Sequence, residues 1–262
     1  MDSKSLHPGR AARDGLAAAL LAERGFTSSP AGIEGRRGFA EVLSASRDYA
    51  AGLAGLGERW ELAQNMYKPF ACGLVVHAVI DACLEARAAH GIVPEAIARV
   101  RARCNPIVLE LTGNREPRTG LEGKFSVFHA AAAALVHGAA LEAQFTDACV
   151  LDPRVVALRR RVTAEPDDGI AKMAAHVTLE LTDGRRIEHR VLHALGSVER
   201  PMSDADIERK ARGLMADVLP ASQIDALVAA CWGAASLPDA RALTRHLSPP
   251  PGGPAGAGEV EA

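Results

Sequence analysis

Lysine and histidine occur together at two places where the chain also contains proline or glycine. The first is the segment KSLHPGRAA, which begins at Lys4 and includes His7. The second is KPFAC, which begins at Lys68 and is followed by His77. Lysine is a compact cation with three donors, and histidine exchanges protons near neutral pH. The combination makes both segments candidates for a chemical role, although each is also typical of a helix start.

Other histidine pairs do not have the spacing of a metal site. His189 and His193 lie on a predicted strand, where four residues span about 13 Å. His129 and His137 lie on a predicted helix, about 12 Å apart along its axis. The chain also has no G-x-G-x-x-G, G-x-x-x-x-G-K-[ST], G-x-S-x-G or H-E-x-x-H sequence. We therefore expect neither a metal nor a cofactor.

The charge pattern argues against binding to nucleic acid or to membranes. Arg99, Arg101 and Arg103 alternate on one predicted strand face, but no aromatic residues lie between them and the formal net charge is −2. A solvated strand face is the simpler interpretation. The first residues lack the charged-then-apolar pattern of a signal peptide, and no apolar run approaches the length of a bilayer crossing. The five cysteines are scattered and unpaired in sequence, so we expect reduced thiols and a cytoplasmic protein.

Hydrophobic periodicity predicts helices in the first half of the chain. Residues 11–24 place Leu16, Leu20 and Leu21 on one face, residues 74–89 form a second helix, and residues 125–138 form a third. Short helices and loops are expected over 26–66, and two shorter helices near 142–149 and 153–160.

Strands are predicted at two places. Residues around Arg99 to Cys104 alternate, and after Asn105-Pro106 the apolar run Ile107 to Leu111 is interpreted as a second strand. The sequence from Ala175 to His193 alternates on both sides of Asp183-Gly184, which predicts a β-hairpin.

The C-terminal part turns helical again. Ser203 with Asp206 forms a capping-box pattern, followed by an apolar face of Ile207, Leu214 and Val218, and a further helix follows Pro220. The tail from Ser248 has too little apolar content to fold and is expected to be disordered. The predicted fold class is α+β.

Beyond the two lysine segments, several short motifs occur in a characteristic order. They are Arg24-Gly25-Phe26-Thr27, Glu34 to Phe39, Gly57 to Trp60, Lys124-Phe125-Ser126, Asp152 to Val155, Asp183-Gly184-Arg185, Gly196-Ser197 and Pro201 to Asp204. Together they resemble the MmgE/PrpD family, which includes 2-methylcitrate dehydratases, cis-aconitate decarboxylases and iminodisuccinate epimerases. The resemblance runs to about residue 245.

The resemblance implies a helical domain, drawn from both ends of the chain, into which a smaller α+β domain is inserted. The implied boundaries are 1–67 for the helical domain, 68–202 for the α+β domain, 203–247 for the returning helices and 248–262 for the tail. Family members carry a long helical region before the Lys4 segment, with an acid/base histidine and aspartate. We therefore expect this chain alone to be incomplete.

The implied chemistry is proton removal next to a carboxylate of a small di- or tricarboxylate, in a lyase such as a 2-methylcitrate dehydratase or in an isomerase. The resemblance assigns catalytic roles to Lys4, Lys68 and His7, and substrate-binding roles to Lys124, Ser126 and His77. It also implies a metal-independent homodimer. The position of the general base stays open.

A second hypothesis belongs to a different class. Family members often have a polar or basic residue shortly after the second lysine, whereas this chain has Gly73, Leu74 and Val75. In this second hypothesis, the chain is a non-catalytic binding or assembly subunit that works with a separately encoded helical partner.

Overall fold

The computed structural model describes residues 3–239 and 241–248. They belong to two compact units that divide between Trp60 and Glu61. The predicted disordered tail, apart from Ser248, lies outside the described residues.

The first unit consists of helices with little buried interior. Its helices are α1 (Ser3–Glu23), α2 (Phe39–Leu43) and α3 (Tyr49–Leu53). The prediction that helix α1 begins near residue 11 is wrong, because the helix continues through Pro8, whose missing N–H removes only one backbone hydrogen bond. The predicted apolar face is present but uncovered, with Leu16 64% and Leu20 51% exposed.

The second unit contains a four-stranded sheet and the remaining helices. Its elements are α4 (His77–His90), β1 (Ile97–Cys104), α5 (Pro106–Thr112), α6 (Gly120–Gly123), α7 (Val127–His137), α8 (Asp147–Leu151), α9 (Pro153–Arg159), β2 (Val162–Pro166), β3 (Ala175–Leu181), β4 (Arg186–Val191), α10 (Asp204–Met215), α11 (Ala221–Trp232) and α12 (Arg241–Thr244). Short 3-10 turns cover Glu61–Gln64, Leu74–Val76, Pro94–Ala96, Glu142–Phe145 and Ala234–Ser236. The α+β prediction is confirmed.

The sheet has the order β2-β1-β3-β4, with β1 parallel to β2 and antiparallel to β3. One face is apolar and buried. The other carries Arg99, Arg101 and Arg103. Arg99 and Arg101 form ion pairs with Glu165 or Glu180 at 3.4–4.0 Å, and Arg103 pairs with Asp167. The interpretation of these arginines as a solvated strand face is confirmed, because acidic side chains on neighbouring strands balance their charge.

Helices α4 and α7 pack against each other and cover the apolar face, α4 over β3 and β4 and α7 beside β2. Helix α7 is buried all round from Val127 to Leu135 rather than along one stripe. Its run of five alanines, Ala130 to Ala134, explains this, because small side chains let neighbouring elements approach from every side. Both helices end at a glycine in the left-handed conformation, Gly91 and Gly138.

One prediction about strands is wrong, and one strand was missed. The segment from Ile107 to Leu111 is part of helix α5, because Asn105 caps the helix by accepting a hydrogen bond from the Ile107 N–H at 3.2 Å, and Pro106 occupies the first turn. Strand β2 was not predicted, since its five residues are stabilised by parallel pairing with a strand far away in sequence.

The hairpin and the capping box are confirmed. Strands β3 and β4 flank Asp183-Gly184, and Ser203 and Asp206 exchange the hydrogen bonds of a capping box at the start of α10. Helices α10–α12 build a separate small cluster around Leu219, Ile224, Leu227 and Val228. The return of these helices to the N-terminal helical domain stays a prediction.

No helix among the described residues combines the length and the apolar character that a membrane crossing needs.

The loop after β4 is tied to the start of the α+β region. Asp81 accepts a hydrogen bond from the Leu195 N–H at 2.7 Å, and the next residue, Gly196, accepts one from the Tyr67 N–H at 3.0 Å. Gly196 has a φ of 85°, and a Cβ atom there would overlap the Tyr67 carbonyl oxygen.

Gly196→Ala is expected to destabilise the protein more than Gly184→Ala. Gly184 has nearly the same φ, 86°, but open space around its missing Cβ. Left-handed strain of roughly 1 kcal/mol applies to both variants, and the clash adds at least about 1–2 kcal/mol at Gly196. Urea unfolding of both variants measures the difference, and equal losses would contradict the anchoring of this loop.

Candidate active site

The segment from Tyr67 to His77 is held by backbone hydrogen bonds to three separate loops. The N–H groups of Tyr67, Ala71 and Gly73 donate to the carbonyl oxygens of Gly196 (3.0 Å), Ala140 (3.2 Å) and Lys124 (2.9 Å), respectively. An irregular segment with three such contacts has little backbone freedom, so the positions from which its side chains extend are fixed before any ligand arrives.

Lys68 is exposed, as is Tyr67 before it, and the following Pro69 and Phe70 are buried. Its charge is close enough to lower the pKa values of Cys72 and His77. Burial outweighs this effect at Cys72 and raises the pKa of its thiol to about 12. Cys72 is therefore a protonated core residue rather than a nucleophile.

Lys124 lies beside the same segment, as its carbonyl oxygen accepts from Gly73. Its Nζ is 2.8 Å from Oε2 of Glu142, and both side chains are partly exposed. An exposed pair of this kind contributes little to stability, so a substrate carboxylate can replace Glu142 at small cost. Lys68, Lys124 and Glu142 all act electrostatically on Cys72. We call Lys68, Cys72, His77, Lys124 and Glu142 the lysine group.

Ser126 is fully buried and begins helix α7. Its hydroxyl donates to the Asn114 carbonyl and accepts from the His129 N–H at 3.1 Å. These contacts make Ser126 the N-cap of the helix. Its predicted role in substrate binding stays a prediction, and the oxygen already has two protein partners.

His77 is fully buried at the start of α4, with its ring packed edge-on against Phe70 at 5.2 Å between centroids. Neither ring nitrogen has a hydrogen-bond partner of ordinary geometry among the described residues. Burial, and then the charge of Lys68, lowers the pKa of His77 to about 4, although the Cys72 backbone opposes the shift. The ring is neutral at pH 7 and has no solvent-facing surface in this conformation.

Asp81, one helical turn after His77, belongs to an ionic network that joins α4 to the loop after β4. Burial raises the pKa of Asp81 to about 6 despite its hydrogen bond from Leu195 and the nearby Arg200. Arg200 Nη2 is 2.7 Å from Glu85 Oε1, and His189 Nε2 is 2.7 Å from Glu85 Oε2. These residues hold Gly196, and through it Tyr67, in place.

The predicted site residues are divided between the two units. Lys4 and His7 lie on α1 of the first unit, where His7 is exposed and the side chain of Lys4 lies outside the described residues. Lys68, His77 and Lys124 come together in the second unit. Sequence reasoning missed Glu142 as the partner of Lys124, because no local pattern links residues on separate loops. No group of three His, Cys, Asp or Glu side chains in the described part of the chain could hold a metal ion.

Comparison with known proteins gives matches to two domain models. The MmgE/PrpD C-terminal domain matches residues 70–234, and the MmgE/PrpD N-terminal domain matches residues 1–51. A cis-aconitate decarboxylase of Aspergillus terreus is 28% identical over an alignment that covers 94% of this chain and 55% of that protein. Those of Mus musculus and Homo sapiens are 27% and 26% identical, each covering 95% of this chain and 53% of the relative. The chain thus spans about half of the length of the curated relatives it matches.

Replacing His77 by phenylalanine is expected to remove a pH dependence of stability. The folded pKa of about 4 lies below the ordinary 6.5, so the unfolded state binds more protons between these values and the wild type loses stability as pH falls through this window. Phenylalanine keeps the ring packing and lacks the titrating nitrogens. The difference in free energy of unfolding between wild type and His77→Phe should change by roughly 1–3 kcal/mol from pH 7 to pH 4.5.

The titration of Asp81 changes stability with pH in the opposite direction to that of His77. Its pKa is raised from 3.8 to about 6, so its contribution is present at low pH and is lost as pH rises through about 6. Because Asp81 is present in both proteins, its contribution cancels in the comparison. A difference that does not vary with pH would contradict the buried, neutral state of His77.

Proposed function

Because the chain belongs to the MmgE/PrpD family, we propose that it acts on a small di- or tricarboxylate as part of a lyase or isomerase. The observation that carries this proposal is the pair Lys68 and Lys124 beside a segment held by three backbone hydrogen bonds. The reaction is removal of a proton next to a carboxylate, followed by loss of water or carbon dioxide or by return of the proton on the other face.

Such a step develops negative charge on carboxylate oxygens. Cations that are already in position stabilise this charge without rearrangement, and lysine provides three donors for the purpose. Lys68 is exposed while its backbone is anchored, which suits it to a substrate arriving from solvent. Lys124 exchanges Glu142 for a second carboxylate of the substrate. In this proposal the lysines supply the positive charge and no metal takes part.

The general base is proposed to lie outside the lysine group. His77 is buried and neutral, Cys72 stays protonated, and Asp81 is occupied by Leu195 and Arg200. His7 on α1 and groups of a helical partner segment are the candidates. We propose that the working protein is a cytoplasmic, metal-independent homodimer completed by such a segment.

Two substrates are the first to test. The curated relatives are cis-aconitate decarboxylases at 26–28% identity, which makes cis-aconitate the first choice. 2-Methylcitrate is the second, for a 2-methylcitrate dehydratase-like reaction. Both offer several carboxylates to the two lysines.

Lys68→Ala is expected to lower turnover at least tenfold in an assembly that is active, because it removes a cation from the site without touching the core. The matched control is Lys172→Ala, since Lys172 is also exposed and lies on a loop of the same unit. Assays run in EDTA with thermal melting recorded in parallel. Unchanged turnover for Lys68→Ala, or equal losses for the two variants, would refute the role of Lys68.

A second candidate function is a non-catalytic subunit of the same fold. Two observations favour it: Lys124 is already paired with Glu142, and Gly73 offers no side chain toward the site. In this case ligand binding by Lys68 and Lys124 persists without chemistry.

The purified chain alone is expected to show no turnover on either acid and to self-associate. Self-association is expected because the first unit has an apolar surface, on which Leu16, Phe26 and Phe39 are 64–67% exposed. Light scattering after size exclusion, with and without a co-expressed helical partner segment, measures association and activity together. A monodisperse, active chain would show that the base lies within these residues, with His7 the first to replace. Turnover that appears with the partner supports the lyase, and restored monodispersity without turnover supports the non-catalytic subunit.

A further inference from the structure

A second concentration of positive charge lies around a cavity of about 440 Å³ in the second unit. Four arginines line it, Arg115, Arg118, Arg159 and Arg160, together with one carboxylate, Glu116. The lining therefore has a formal charge of +3, from four cations and one anion, in a chain whose net charge is −2. None of these residues belongs to the lysine group.

Two parts of the fold bring the arginines together. Arg115 and Arg118 lie on the loop between α5 and α6, and Arg159 and Arg160 lie at the end of α9. The cavity also has an apolar lining, to which Phe128 of the buried helix α7 contributes. A cation-lined cavity with an apolar part matches a small molecule that has anionic groups on a carbon skeleton.

Arg159 is the buried member of the set, with 8% of its surface exposed. Its Nη1 donates to the Val150 carbonyl at 3.0 Å, and within the described residues no carboxylate forms an ion pair with it. Burial lowers the pKa of Arg159, Glu116 opposes this shift, and Arg160 adds to it. A buried guanidinium without a counter-ion is costly, and an anion in the cavity would offset that cost.

The other three arginines are exposed at the cavity. Arg115 stacks on the Phe128 ring, with its guanidinium carbon 4.5 Å from the ring centroid. The side chains of Arg118 and Arg160 have no carboxylate partner in the part of the chain that the structure describes, although Arg154, Arg185 and Arg241 each pair with a neighbouring aspartate. Their donors remain available to a ligand.

We propose that this cavity is a second anion-binding site, for a small molecule with at least two anionic oxygens carried by carboxylates or by phosphate. Guanidinium groups bind either anion through two parallel hydrogen bonds, and four of them define a geometry that one lysine cannot. The volume lies within the range of small-molecule sites. Binding here requires none of the lysine group and does not depend on the proposed reaction.

The test uses the full chain and isothermal titration with citrate and with inorganic phosphate at matched ionic strength. Arg118→Ala/Arg160→Ala removes two exposed cations, which avoids the risk that replacing the buried Arg159 unfolds the protein. Arg99→Ala/Arg190→Ala is the control, because it removes the same charge from the exposed face of the sheet. Citrate or phosphate should bind at least tenfold more weakly to the cavity variant and within about twofold of wild type to the control.

The outcomes distinguish the possibilities. Tighter binding of citrate assigns the cavity to carboxylates, and tighter binding of phosphate assigns it to phosphate or its esters. Binding to the cavity should survive Lys68→Ala, which separates this site from the lysine group even if the proposed reaction is refuted. No binding of either anion up to about 10 mM, or equal losses in both double variants, would overturn the proposal.

Discussion

The structure of the second unit depends on burying helices α4 and α7 against one face of a four-stranded sheet. The alanines of α7 permit close contact on all sides, and the alternating strands supply a continuous apolar face. Several residues of the site lie at the N-terminal ends of these two helices. His77 is the first residue of α4, and Ser126 caps α7 just after Lys124.

Polar groups near this core are satisfied in unequal ways. Asp81 receives a hydrogen bond from Leu195 and faces Arg200, so its burial also fixes the loop that holds Tyr67. Neither ring nitrogen of His77 has a hydrogen-bond partner of ordinary geometry within the described residues, and burial keeps the ring neutral at pH 7. The contrast assigns Asp81 to positioning the segment from Tyr67 to His77, and it leaves both ring nitrogens of His77 with unused hydrogen-bonding capacity among the described residues.

The positive charge of the second unit is organised in three places with different consequences. Arginines on the open face of the sheet are balanced by acidic neighbours. Lys68 and Lys124 lie beside an anchored backbone segment, which suits the recognition of a substrate carboxylate. The cavity lining has four arginines and one carboxylate, a formal charge of +3 in a chain whose net charge is −2.

The sequence by itself determined the features that depend on local patterns. Alternation around Asp183-Gly184 is sufficient for a hairpin, and Ser203 with Asp206 is sufficient to start a helix, because the partners of each hydrogen bond are close in the chain. The short motifs and their order indicated the family, and the resemblance predicted roles for Lys68 and Lys124. Tertiary structure decided what long-range contacts control. Asn105-Pro106 was compatible with a turn or with a helix start, and β2 needed a distant parallel partner to form a strand. Tertiary structure also decided three features of the charged and polar groups. It pairs Lys124 with Glu142, buries the ring of His77, and brings four arginines to one cavity. Each depends on separate segments meeting in space, and no spacing along the chain encodes those distances.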